Sequence, residues 1–134
     1  MPTFEEARAW LKAHQDVVMG GPTYVVFDIG EQRVRAVHRA ALDEDWLIVA
    51  SAICPSELME PEWALQYNRY NEAIGALAVE QGSLQLRALV PLVRLAWATL
   101  ERIIQYIAVE SARLRACARP QRVFDPDMFE SYVD

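Results

Sequence analysis

At 134 residues, 53% hydrophobic and 24% charged, the chain falls in the ordinary globular range; one domain spanning 1–134 is expected, burying roughly two thirds of the surface its unfolded chain exposes. A formal net charge of −6 opposes phosphate backbones and acidic headgroups, which argues against nucleic acid and membrane surfaces as general partners. The longest apolar runs, Trp46 to Ile53 and Ile74 to Val79, fall well short of the ~20 residues of a membrane helix, and the acidic start through Glu5 and Glu6 lacks the basic and apolar regions of a secretory signal, so a cytoplasmic address is expected.

From Thr3 to Val18, Phe4, Ala7, Leu11, Val17 and Val18 recur at helical spacing, with Trp10 on the flank. Thr3 suits the N-cap, Glu5 and Glu6 complement the helix dipole, and Gly20-Gly21-Pro22 reads as the stop. Three strand-like runs follow, Thr23 to Ile29, Arg33 to Ala40 and Asp45 to Ile53, with separations short enough for an antiparallel meander. In the middle run Arg33, Arg35, Val37 and Arg39 share one face and Val34, Ala36, His38 and Ala40 the other, the period of a half-exposed strand. The third run is apolar on both faces, which requires a central position or a partner over its second face.

Pro61 opens a short helix that ends near Asn71. A hairpin, Ile74 to Glu80 and Ser83 to Val90, then turns at Gln81-Gly82, where glycine permits positive φ. The last helix runs from about Leu95 to Ala118, with a stripe of Trp97, Leu100, Ile103, Ile104, Ile107 and Leu114, and with Glu101, Arg102, Gln105, Glu110 and Arg113 mostly off it. Leu84, Leu86, Ala88 and Val90 are expected to pack under this stripe, leaving Gln85, Arg87 and Leu89 on the opposite face. The segment 119–134 carries Val123, Phe124, Met128, Phe129 and Tyr132 and is expected to dock on the domain or on a second copy.

The expected fold class is therefore α+β, a five-stranded antiparallel sheet with three helices in the order α-βββ-α-ββ-α. This order, together with Leu65 to Asn71, Ile74 to Val79, Gly82 to Arg87, Val90-Pro91-Leu92 and the helix containing Leu100, Ile103, Ile104 and Ile107, resembles the YbjN domain family and the related Tir-chaperone-like secretion chaperones of type III systems. The resemblance is local to Leu65 to Arg115 and rests upstream on element order. It implies a twisted sheet with helices on one face, a homodimer, no catalytic residues, and binding of an extended effector segment along apolar patches and a sheet edge.

Nothing in the residues points to catalysis. His14 and His38 stand without a nucleophile motif, Cys54 and Cys117 belong to no metal-ligand or redox spacing, and the acidic turns at Asp43-Glu44-Asp45 and Asp125 to Asp127 lack the alternating ligands of a calcium loop. No cofactor is expected. The polar feature with most chemistry is the row Arg33, Arg35 and Arg39, which Arg87 can join; Asp28, Glu31 and Glu80 could neutralise it, or an acidic peptide or small anion could fill it. Trp63, Tyr67 and Tyr70 fall at i, i+4 and i+7, and Tyr106 lies off the main stripe, positions that suit either core packing or an interface. Arg33, Arg35, Arg39, Arg87, Leu89, Trp63, Tyr67, Tyr70 and Tyr106 are thus the candidate partner-binding residues of a non-enzymatic protein-binding domain of chaperone or adaptor type, with a small-ligand or anion-binding domain as the alternative.

Overall fold

The computed structural model describes residues 3–71 and 74–117; the expectations about the 119–134 tail and Asp125 to Asp127 lie outside these residues. The elements are α1 (Phe4–His14), β1 (Asp16–Gly20), β2 (Tyr24–Ile29), β3 (Gln32–Ala41), β4 (Glu44–Pro55), α2 (Pro61–Tyr70), β5 (Ala76–Glu80), β6 (Ser83–Pro91) and α3 (Trp97–Cys117). All strands pair antiparallel, in the order β1-β2-β3-β4-β6-β5. The sheet has six strands, not five. The additional one, β1, comes from residues expected to finish the first helix.

Helix α1 stops at His14, four residues earlier than the apolar spacing through Val18 suggests, because Gln15 is already extended and donates its N–H back to Leu11 O at 2.8 Å. The β-branched pair Val17-Val18 then lies in β1, where such side chains are favoured. Gly20-Gly21-Pro22 belongs to a strand connection, not to a helix stop, and Gly21 N–H donates to Tyr24 O at 2.9 Å to close it. A Cβ on Gly21 would sit 2.5 Å from the Tyr24 ring, so a larger residue there would displace that ring. At its start α1 is capped as expected, with Glu6 N–H donating to Thr3 Oγ1 at 3.2 Å.

Two-residue turns join β3 to β4 and β5 to β6. Leu42 and Asp43 have φ of 55° and 59°, and Gln81 and Gly82 have 51° and 77°, the left-handed pairs that match the twist of the flanking strands. The register then aligns one apolar row after another on a single side of the sheet: Val25 opposite Ala36 opposite Val49 opposite Ala88, and Phe27 opposite Val34 opposite Ser51 opposite Leu86 opposite Leu77. All three helices pack on that side. Phe4, Ala7 and Leu11 from α1, Trp63 and Tyr67 from α2, and Leu100, Ile103, Ile104 and Ile107 from α3 join those strand residues in one core. The expected packing of Leu84, Leu86, Ala88 and Val90 under the α3 stripe is what the structure contains.

Helix α2 has a second task at the sheet edge. Asn68 Nδ2 donates to Leu77 O at 3.0 Å while Leu77 N–H donates to Asn68 Oδ1 at 2.7 Å, so one side-chain amide occupies both outward backbone groups of β5 at that residue. Asn71 Nδ2 donates to Gly75 O at 3.1 Å. An edge strand is a template for unwanted pairing, and the Asn68 amide blocks it at Leu77. Asn68→Ala is expected to cost about 1–3 kcal/mol in urea unfolding and to give concentration-dependent self-association by light scattering, because two buried-side polar groups lose their partner. Unchanged stability with unchanged particle size would contradict this role.

Candidate functional site

Strand alternation sends every second side chain of β2, β3, β4 and β6 away from the helices. On that outer face the register sets Val26 opposite Arg35, Arg35 opposite Ala50, Ala50 opposite Arg87 and Arg87 opposite Ala76. One step along, Tyr24 stands opposite Val37, Val37 opposite Ile48 and Ile48 opposite Leu89. One step further, Arg39 stands opposite Trp46 and Trp46 opposite Pro91. An apolar row is thereby bracketed by two rows that carry arginine.

Ile48 and Ala50 are buried yet belong to no helix-side core; their register neighbours in the sheet are Val37 and Leu89 for Ile48, and Arg35 and Arg87 for Ala50. This answers the double-sided apolarity of β4: one face meets the helices and the other forms the floor of an open surface. Leu89 stands above that floor, 56% exposed.

The arginines differ in their partners. Arg33 grips Asp28 through Nε to Oδ1 at 2.9 Å and Nη2 to Oδ2 at 3.2 Å, and this hydrogen-bonded fork holds the Asp28 carboxyl below its ordinary value. Arg35 Nη2 donates to Glu80 Oε2 and to Gln85 Oε1, both at 2.9 Å. Asp28 and Glu80 are two of the three acids that the sequence offered as neutralisers. Arg39 and Arg87, by contrast, have no hydrogen-bond or ion-pair partner among the described residues.

The aromatic candidates lie elsewhere. Trp63 and Tyr67 stack at a centroid distance of 5.9 Å and are 1% and 0% exposed, so as placed they are core residues with no surface to offer. Tyr70 is exposed and carries Arg69 over its ring at 6.0 Å. Tyr106 is half-buried beside Gly75, where its hydroxyl accepts from Asn71 Nδ2 at 3.4 Å. The structure thus brings Arg33, Arg35, Arg39, Arg87 and Leu89 to one face of the sheet and leaves Trp63, Tyr67, Tyr70 and Tyr106 on the helix side. Val37 lies on the arginine face as its alternation in β3 predicts, and Ile48, Tyr24 and Trp46 join it without being among the candidates; their period-two placement within β2 and β4 is the available signal.

Glu110, expected mostly off the α3 stripe, is only 5% exposed. Tyr67 Oη donates to its Oε2 at 2.5 Å, and Arg113 Nε stands 3.6 Å from Oε1. Burial raises the Glu110 carboxyl above its ordinary 4.5, against the opposing effects of Tyr67 and Arg113, and burial together with Glu110 raises the Tyr67 hydroxyl so that it stays protonated. His38 is accounted for structurally, with Nε2 2.8 Å from Asp45 Oδ1 and its ring stacked on Phe4. Cys54 lines a shallow cleft of about 530 Å³ with Gln32, Arg33, Ser83 and Arg115, and burial pushes its thiol up, away from nucleophilic character. Among the described residues no three His, Cys, Asp or Glu side chains group as metal ligands, and no helix is long and apolar enough to cross a membrane.

Helices gathered on one side of an antiparallel sheet, with no described helix on the other, are an arrangement that this chain shares with solved structures. The chain is similar to a chain of the HopA1–SchA chaperone–effector complex, with a TM-score of 0.61 and 15% identity over 82% of this chain and 87% of that one. It is also similar to a chain of the ExsC–ExsE complex, with a TM-score of 0.60 and 10% identity over 72% of this chain and 76% of that one. At these identities the likeness is one of fold. No family model matches the sequence, and no curated protein matches it.

The buried Tyr67–Glu110 pair generates a pH prediction. A carboxyl whose pKa is raised on folding favours the folded state while protonated, and that contribution is lost as pH rises from the ordinary 4.5 through the raised value. Glu110→Gln is expected to flatten the fall in stability across that window in urea unfolding at stepped pH, while Tyr67→Phe costs about 1–3 kcal/mol by stranding the carboxylate. Parallel pH profiles for wild type and Glu110→Gln would contradict the assignment.

Proposed function

We propose that this chain is a non-enzymatic protein-binding domain of chaperone type, which uses the open face of its sheet to hold a segment of another polypeptide. The observation that carries the reading is the Val37–Ile48–Leu89 row, an apolar surface on central strands with no helix over it among the described residues, in a fold similar to that of a chain of a chaperone–effector complex. A short edge supports it: β1 carries exposed Val18 and Met19, whereas the outward backbone groups of β5 at Leu77 are occupied by Asn68. The YbjN branch is the finer placement, carried by the asparagine-bearing α2 and the Gly82-Ser83-Leu84-Gln85-Leu86-Arg87 hairpin arm. A cytoplasmic location goes with the same reading.

A homodimer belongs to the proposal as well. Leu65, Tyr70, Ile74 and Val79 expose apolar surface on α2, β5 and the segment between them, 68%, 55%, 61% and 63% respectively, a concentration that a second copy would bury. The small-anion alternative draws on the same arginines, but two of its four cations are already engaged by Asp28 and Glu80.

Two measurements test this reading. Protein purified from its host is expected to carry a polypeptide that Leu89→Asp loses without loss of thermal stability; a partner retained equally by the variant would exclude the sheet face. Light scattering at micromolar concentration is expected to give a dimer that Leu65→Asp converts to monomer, and a monomeric wild type would overturn the assembly.

A further inference from the structure

The geometry points to the chemistry of the partner: we propose that the open sheet face binds an amphipathic acidic segment, apolar along its middle and carrying carboxylates on both flanks. This rests on the protein-binding reading above and specifies what that surface selects. Four observations carry it. The apolar row Tyr24–Val37–Ile48–Leu89 is flanked on one side by the row holding Arg87 and on the other by the row holding Arg39. Those two arginines have no hydrogen-bond or ion-pair partner among the described residues, whereas Arg33 and Arg35 are satisfied from within the chain. Arg39 on β3 and Arg87 on β6 lie two strands apart and four residues apart in register, which separates their Cα atoms by roughly 16 Å, too far for one small anion and suited to two carboxylates on one segment. Finally, the floor between Arg35 and Arg87 is Ala50, 1% exposed and without bulk to keep a partner away.

Charge decides between occupants. A second copy docked by the same face would set arginine rows against arginine rows, which is unfavourable across a desolvated contact. A basic segment meets the same repulsion. An extended polyanion is opposed by the chain's overall charge of −6, which a short acidic segment with an apolar middle feels less than it gains from burying Leu89 and the row beside it.

The test uses fluorescence anisotropy with the intact protein and three labelled probes: a leucine-striped peptide flanked by glutamates, the same peptide with lysines for glutamates, and a single-stranded oligonucleotide of comparable length. Binding of the acidic peptide is expected, weakened by salt and roughly tenfold weaker in the double variant Arg39→Gln/Arg87→Gln, whose substitutions lie at surface positions and whose melting is checked alongside. Leu89→Ser is expected to weaken the same peptide without changing its salt dependence. If the lysine peptide binds equally and the arginine variants change nothing, the acidic assignment is overturned while the protein-binding reading stands. Oligonucleotide binding with the same arginine dependence would replace the peptide by nucleic acid, and no binding of any probe would overturn both readings at this face.

Discussion

The alternation of arginine with small apolar residues along β3 determines which side of the sheet is dry. Val34 and Ala36 are fully buried while Arg33 and Arg35 point the other way, and a guanidinium cannot turn inward without losing its hydration or its partners. A one-residue slip of this strand would exchange the two sets, so the register of β2 and β4 on either side is fixed with it. Once the dry side is set, α1, α2 and α3 have a single surface to cover. The open face is a consequence of that asymmetry. It remains apolar in its middle because β4 supplies Ile48 and Ala50 there.

The helix layer is tied together by contacts that differ in kind from the apolar core. Trp10 stacks on Trp97 at 5.5 Å and Gln15 Nε2 donates to Glu101 Oε2 at 2.8 Å, which fixes α1 against α3. Arg8 Nη1 donates to Gly21 O at 2.8 Å, which holds α1 to the turn after β1. Tyr67 and Glu110 join α2 to α3 through a buried pair whose removal on one side leaves the other unsatisfied. On the sheet itself Gln32 Nε2 donates to Ser51 Oγ and Ala52 O while Ser51 Oγ donates to Arg33 O, a buried polar link between β3 and β4 on the side of the core. Directional bonds of this type select one docking of helices on sheet, where apolar packing alone would tolerate several.

Much of this was legible in the sequence where a period was sustained. The two faces of β3, the turn at Gln81-Gly82 and the α3 stripe each rest on one local pattern that tertiary packing reinforces. The strand β1 was hidden because Val17 and Val18 continue the spacing of Phe4, Ala7 and Leu11, and no breaker stands at His14 or Gln15; the β-branched pair just ahead of Gly20-Gly21-Pro22 was the signal for a strand and its turn. Trp63 and Tyr67 carry the same periodicity whether they face a core or a partner, and only the position of α2 against β5 places them inside. Glu110 was read outward because a lone carboxylate normally stays wet, and its partner Tyr67 is 43 residues away. Which arginines are engaged among the described residues is likewise beyond local pattern, since Arg35 finds Glu80 and Gln85 across 45 and 50 residues.

The central claim is that the face of β3, β4 and β6 away from the helices is open in the free protein and becomes covered on binding. Hydroxyl-radical footprinting of the free protein and of its complex tests this most directly, because it reads side chains on the two faces of the same strands in one experiment. Strong labelling of Leu89, Trp46 and Tyr24 in the free protein and protection of all three in the complex is the predicted result, with Leu84 and Leu86 unlabelled in both. A Leu89 already protected in the free protein, or labelled to the same extent in the complex, would contradict it.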